Sequence, residues 1–263
     1  MAATDKTIVL VTGANTGIGL DTVIALSQSS ANYHILLGTR SLEKGQAALK
    51  QLQTEHASTL QSTISLAQID VTSQESITSL VNTISSEYGR LDVLISNAGI
   101  VVHQETDLIT NYRLTFETNV FGPGVLVEAL EPLLKKSTDP RIIHVSSSLG
   151  SVTARLDPTD KWKHVKGDVY RASKSALDML AACQRYNYAQ PGGGGIKVCA
   201  FNPGWCVSNL TGEEGKKARI AGGARPSREP AVALAEILGG KRDQKEIWEG
   251  NGMVDLDGGL LPW

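Results

Sequence analysis

The sequence predicts an α/β fold: one domain on a doubly wound parallel sheet of about seven strands, with helices on both faces. Three observations predict it. Short apolar runs alternate with stretches of helical period. A glycine-rich turn, Thr12-Gly13-Ala14-Asn15-Thr16-Gly17-Ile18-Gly19, joins the first such run to the first helical stretch. Successive runs end in residues of unusual chemistry, Gly13, Arg40, Asp70 and Asn97, which the topology gathers at one rim of the sheet.

Thr7 to Val11 reads as a buried strand, and Leu20, Val23, Ile24 and Ser27 follow at helical spacing. Tyr33 to Leu37 is a second strand ending in Gly38-Thr39-Arg40. Ser41 then caps a helix that holds Glu43, Ala47, Leu49 and Leu52. Residues 53–63 read as loop, Thr63 to Ile69 as a third strand closing in Asp70-Val71, and Ser73 to Tyr88 as a helix. Leu91 to Ile95 is a fourth strand ending in Ser96-Asn97-Ala98-Gly99. A long helix is expected over Arg113 to Leu134, bent or divided by Pro123 and Pro132. Arg141 to Val145 is the fifth strand and runs into Ser146-Ser147-Ser148. Residues 152–168 lack periodicity and read as loop. Tyr170 to Ala189 is helical and is broken by Pro191 and Gly192 to Gly195. Ile196 to Phe201 is a sixth strand, and residues 208–227 read as mobile. Pro230 to Leu238 is a last helix, and Met253 to Leu256 a last strand before Asp257-Gly258-Gly259. No linker divides residues 1–263.

With 263 residues, 41% hydrophobic, the chain can bury a sizeable core. A net charge of −2 without a lysine-rich block gives no reason to expect a nucleic-acid partner. Cys183, Cys199 and Cys206 lack metal or redox spacing and are expected to pack as small apolar residues. The five histidines form no ligand pair, so no metal is expected. Met1 to Lys6 carry no leader-like apolar stretch and no run is long enough for a membrane span, so the expectation is a cytoplasmic protein.

The glycine turn carries chemistry of its own. Gly13 permits a sharp turn, Gly17 admits a pyrophosphate close to the backbone, and Gly19 lets the helix approach the strand. The helix N-terminus then favours a dinucleotide's phosphates. Tyr170 and Lys174 stand one helical turn apart on one face. A neighbouring ammonium favours a phenolate, so Tyr170 is a candidate general acid–base; a core-edge tyrosine is the plainer reading. Ser147 can hydrogen-bond the same substrate oxygen.

Thr12-Gly13-x-x-x-Gly17-Ile18-Gly19, Asp70, Asn97-Ala98-Gly99, Asn119, Ser147, Tyr170-x-x-x-Lys174 and Pro203-Gly204 occur in order. On these landmarks the chain resembles the short-chain dehydrogenase/reductase family over nearly its whole length, with a tail like that of fungal members. The resemblance implies a Rossmann fold and a catalytic set of Asn119, Ser147, Tyr170 and Lys174. Lys174 would also hold the nicotinamide ribose, and Asn119 would tie a water to Lys174. It implies dinucleotide contacts from Gly13, Asn15, Thr16, Gly17, Ile18, Gly19 and Arg40, and from Asp70 and Val71 at the adenine. Asn97, Ala98 and Gly99 would lie by the ribose, followed by Tyr170, Lys174, Pro203, Gly204, Val207 and Ser208.

No acid lies between Gly38 and Ser41, and Arg40 offers a fork for a 2′-phosphate, so the expected cofactor is NADP(H); a solvated surface arginine is the alternative. Ser147 and Tyr170 stand 23 positions apart, a longer interval than is common in the family. The insert over 151–168 and the 208–227 segment are expected at the mouth of a substrate pocket, where Trp162 and His164 either touch substrate or are solvated. The activity implied is reversible NADPH-dependent reduction of a ketone. Two alternatives stay open: dehydration, isomerisation or cyclisation of a biosynthetic intermediate, or NADPH sensing without turnover. The family commonly forms homodimers or homotetramers through two long helices, here 113–134 and 170–189.

Overall fold

In a computed structural model, residues 5–102 and 106–263 are described. Residues 1–4, part of the expected polar start, and 103–105, in the loop after Gly99, lie outside the described residues.

β1 (Thr7–Val11) sits mid-sheet, with Val9 registered on Ile35 of β2 (Tyr33–Thr39) and on Val93 of β4 (Val93–Ser96). β3 (Thr63–Gln68), β5 (Arg141–Val145), β6 (Lys197–Asn202), β7 (Met253–Asp255) and β8 (Leu260–Leu261) complete the order β3-β2-β1-β4-β5-β6-β7-β8. All neighbours are parallel except β7 and β8. The sheet therefore has eight strands among the described residues rather than about seven. Asp255 to Gly259 folds back, and the Asp255 amide donates to the Gly259 carbonyl at 3.0 Å, which pairs Leu260 with Val254.

Alternation along β1 builds both cores. Val9 and Val11 face α1 (Gly17–Ser29), α2 (Leu42–Glu55), α9 (Arg228–Leu238) and α10 (Gln244–Glu249). Ile8 and Leu10 face α3 (Gln74–Glu87), α5 (Gly122–Leu134) and α7 (Asp168–Ala189). Ser41 and Ser73 cap α2 and α3 by accepting from the Lys44 and Ser76 amides. No described helix is long and apolar enough to cross a membrane.

The long helix differs from expectation. It starts earlier, as α4 (Leu108–Phe116), and divides at a π-helical turn, Glu117–Phe121, before α5. Pro123 supplies the reason: it has no N–H for the Asn119 carbonyl four residues back, so the regular ladder cannot continue there. Pro132 lies inside α5, which runs on through it. Residues 152–168 begin with a short helix, α6 (Val152–Leu156), capped by Ser151, and are not all loop. The 208–227 segment is likewise structured, with a 3₁₀ turn at Asn209–Thr211 and α8 (Gly212–Ala221). Cys199 is buried as expected, but Cys183 is exposed; Cys206, whose exposure the sequence leaves open, is buried.

Candidate active site

The glycine turn connects β1 to α1 at the carboxyl rim of the sheet. Gly13 and Gly17 have φ of 63° and 56°, a region L side chains rarely adopt. A Cβ at Gly19 would collide with the Gly13 carbonyl oxygen, so glycine alone allows α1 this close. Thr16 makes no side-chain cap bond and the first turn holds no acid, which leaves the α1 amides oriented for an anion. Ile18 packs at the edge of the core. Asn15 Oδ1 accepts from Thr39 Oγ1 at 3.2 Å, tying the turn to β2. Arg40, at the end of β2, is exposed, and its guanidinium makes no hydrogen bond or ion pair among the described residues.

Asp70 accepts at Oδ1 from the Thr72 amide and hydroxyl at 3.0 and 2.7 Å, which fixes the bend at the end of β3; Val71 beside it is buried. Asn97 directs its amide inward, donating to the Thr12 and Gly13 carbonyls at 2.8 and 3.3 Å. Thr12 was not singled out from the sequence. Its hydroxyl accepts from both the Asn97 and Ala98 amides at 3.0 Å, bolting the two turns together.

Across the rim stands the second group. Asn119 is fully buried in the π turn, donating to the Ile100 carbonyl at 2.9 Å and to Ser173 Oγ at 3.1 Å, and accepting from the Ile100 amide at 2.8 Å. A Cβ at Gly99 would lie 3.3 Å from Asn119 Oδ1 and 3.7 Å from Lys174 Nζ, so glycine keeps open the space between these two polar groups. Lys174 is buried, and its Nζ donates to the Val145 carbonyl at 2.9 Å. Ser147 starts the 3₁₀ turn Ser148–Gly150 and accepts from the Leu149 amide at 3.2 Å.

Burial pushes the Tyr170 hydroxyl up to about 12, against the nearby Ser147 hydroxyl and the charge of Arg219, which pull it down. The expected lowering by Lys174 is not what governs Tyr170 here. The ammonium is committed to Val145 and lies 5.8 Å from the tyrosine ring centroid, so desolvation wins. Burial in turn lowers Lys174 to about 8, with Asp178 opposing.

A third group walls the mouth. Arg171, next to Tyr170, donates to the carbonyls of Leu149, Trp162 and Val165 at 3.2, 2.8 and 3.1 Å, anchoring the loop after α6. Trp162 thereby meets Trp205, ring centroids 5.9 Å apart, whereas His164 is exposed. Trp205 follows Pro203 and Gly204 at the end of β6 and packs over Gly222 beside α8. Val207 and Ser208 are half-buried; the Val207 amide donates to the Arg225 carbonyl at 2.8 Å. Arg219 on α8 donates to the Cys206 carbonyl at 3.0 Å, and Asn209 donates to Thr16 Oγ1 at 2.9 Å. Arg171, Arg219 and Asn209 were missed because their partners are main-chain groups or lie far off in sequence. No metal-holding group of His, Cys, Asp and Glu occurs among the described residues.

Strand order and glycine turn define a Rossmann-type α/β protein, with a Ser–Tyr–Lys cluster at its carboxyl rim. The chain belongs to the short-chain dehydrogenase family, whose profile, "short chain dehydrogenase", matches residues 7–219. It is 38% identical over 232 residues to the short-chain dehydrogenase anuI of Penicillium roqueforti, covering 86% of this chain and 88% of that protein. It is 33% identical to the short-chain dehydrogenase/reductase tropE of Talaromyces stipitatus, covering 92% and 94%. Among solved structures, the NADPH-bound carbonyl reductase from chicken fatty liver has 27% identity and a TM-score of 0.78, covering 98% of this chain and 99% of that one.

Proposed function

We propose that the protein is an NADPH-dependent reductase of a ketone bound between Ser147, Tyr170 and the Trp162–Trp205 wall. The observation that carries this reading is the gathering of Tyr170, Ser147 and Lys174 at the carboxyl rim, with burial keeping the Tyr170 hydroxyl protonated. A protonated phenol of that kind is a general acid for a carbonyl oxygen. The relatives' names and the NADPH-bound carbonyl reductase support the same reading.

The residues present fit the dinucleotide. The Gly13–Gly19 turn and the α1 amides would hold the pyrophosphate, and Arg40 and Asn15 would take the 2′-phosphate. Asp70 and Val71 would border the adenine. Asn97, Ala98, Gly99 and Lys174 would lie along the riboses, with Pro203, Gly204, Val207 and Ser208 at the nicotinamide end. Bound there, the dinucleotide supplies the hydride. Ser147 orients the substrate oxygen and Tyr170 Oη donates its proton. Lys174 and Asn119 border the Gly99 space, from which that proton is replaced. Trp162 and Trp205 present flat apolar surface, which suits a ring ketone.

The exposed apolar residues Phe121 and Val125 beside α4 and on α5, and Met179 and Tyr186 on α7, suit contact between two copies; light scattering reads this directly.

Titration with NADPH and NADH, followed by turnover of a ketone panel, tests the activity. Tight NADPH binding and oxidation that vanishes in Tyr170→Phe are expected, with product mass raised by two hydrogens. An unchanged mass would point to a non-redox step, and binding without turnover to a sensor. Arg40→Asp is expected to erase the preference for NADPH; an unchanged affinity ratio would remove Arg40 from the assignment.

A further inference from the structure

α7 carries a second buried charge that the chemistry above does not use. Asp178 lies one helical turn beyond Lys174, on the same face, and each is 4% exposed. Neither Asp178 oxygen has a hydrogen-bond partner, an unusual state for a buried carboxylate. Across from it stand His144 on β5 and Ser146 just past the end of that strand, two residues apart. Ser146 Oγ and His144 Nδ1 are also buried without partners, while His144 Nε2 bonds Gln184 Oε1 at 2.8 Å. Ser146 stands near enough to favour the ionised carboxylate, though it closes no well-formed hydrogen bond. Gly150 covers the other side: a Cβ there would lie 2.9 Å from Asp178 Oδ2.

A buried ammonium needs a counter-charge, and the Val145 carbonyl supplies only a dipole. We propose that Asp178 is a positioning residue that holds Lys174 in its cationic form through this sealed polar seam between β5 and α7. The inference rests on the reading of Lys174 as part of the catalytic set.

The other groups facing the pair do not replace Asp178. Burial lowers His144 to about 4, so it stays neutral and brings no charge. Asn119 and Ser146 are uncharged. Arg219 and Cys206 act on Tyr170 and not on the Lys174 or Asp178 charge. Among the described residues, Asp178 is the one carboxylate that supports the Lys174 charge, and its own carboxyl is raised to about 7 by burial.

The test is the pH profile of NADPH-driven ketone reduction in the full chain, for the wild type, Asp178→Asn and Asp178→Glu. Lys174 must be charged, so the wild-type rate should fall as pH rises through about 8. In Asp178→Asn that limb should move down by about one unit, giving a rate loss of about threefold at pH 7.5 and little loss at pH 6. Asp178→Glu should return the limb toward its wild-type position. A loss of equal size at every pH marks a merely structural role and overturns the inference, as does an unmoved limb. Should Asp178→Asn not fold, Ser146→Ala removes the group that favours the carboxylate and should shift the limb the same way by a smaller step; no shift overturns the inference. If no ketone is turned over at all, the reductase reading fails separately. The Lys174 charge is then read by NMR of 13Cε-lysine-labelled protein, where a lower midpoint in Asp178→Asn sustains the inference and an equal one ends it.

Discussion

The two sides of the carboxyl rim are built by different means. On the side of β1, β2 and β4, order comes from backbone geometry and short polar ties: Gly13, Gly17 and Gly19 shape the turn, and Thr12 and Asn97 clamp it. On the side of β5 and β6, order comes from arginines reaching to carbonyls. Arg171 holds Leu149, Trp162 and Val165, Arg155 holds Lys163, and Arg219 holds Cys206. The first design tolerates almost no change of residue type, because backbone must meet backbone. The second fixes a loop's position while leaving its intervening side chains free to vary, which suits a surface that selects substrate.

The sharpest way to break this contrast is to add one carbon on the first side. Gly19→Ala should lower NADPH affinity by about 100-fold or more, because the methyl must push α1 off the Gly13 carbonyl and spoil the anion site. Calorimetric titration checks it; an affinity within a few-fold of wild type would show that the approach of α1 is not what makes the site.

On the second side the corresponding blow is Arg171→Leu. It removes charge-assisted bonds to three carbonyls and should cost about 2–4 kcal/mol of stability by denaturant unfolding. The KM for ketone should rise about tenfold, about 1.4 kcal/mol, since Trp162 loses its anchor, with NADPH affinity unchanged. Trypsin should cut faster at Lys161, Lys163 and Lys166, all exposed in the freed loop. A parallel loss of NADPH affinity would mean that the two sides are not separately built.

The same contrast explains what was legible in the sequence. The strands and most helices follow from period-2 and period-3.6 patterns, and the glycine turn from spacing, because local sterics dictate both. The π turn was visible only as an awkward Pro123 four residues after Asn119. The α8 helix escaped because Gly212, Gly215 and its charges mask a stretch that Thr211 and Arg219 stabilise. Arg171 and Asp178 are charged residues on a long helix, and nothing in their spacing marks them as buried. Their burial, at 8% and 4% exposure, depends on β5 and on the loop folded over them, which no local pattern encodes. The burial that raises the Tyr170 hydroxyl is not legible in the sequence for the same reason, since desolvation depends on packing.

A smaller effect sharpens the assignment of the mouth. Trp162→Ala should raise KM for ring ketones about five- to tenfold, leaving small open-chain ketones and NADPH affinity nearly unchanged. The lost aromatic contact is worth about 1 kcal/mol beyond its buried area. Equal effects on both substrate classes would place the indole against the protein and not against the substrate.

The smallest expected effect lies where the two sides touch. Asn209, on the 3₁₀ turn after β6, donates to Thr16 Oγ1 at the start of α1, joining residues almost a whole chain apart. The bond is exposed and neutral, so its net worth is about 1 kcal/mol or a factor of about five. It bridges the glycine turn and the segment that follows Pro203–Ser208, the two lips between which the dinucleotide of the proposed function would lie. If the bond closes the groove behind the dinucleotide, Asn209→Ala should raise the NADPH dissociation rate about two- to fivefold and leave association unchanged. If the bond must instead open to admit the dinucleotide, the variant should speed association and dissociation together, with little change in affinity. Stopped-flow fluorescence separates the two outcomes. A latch would make the substrate side a contributor to residence time even though the glycine turn sets affinity.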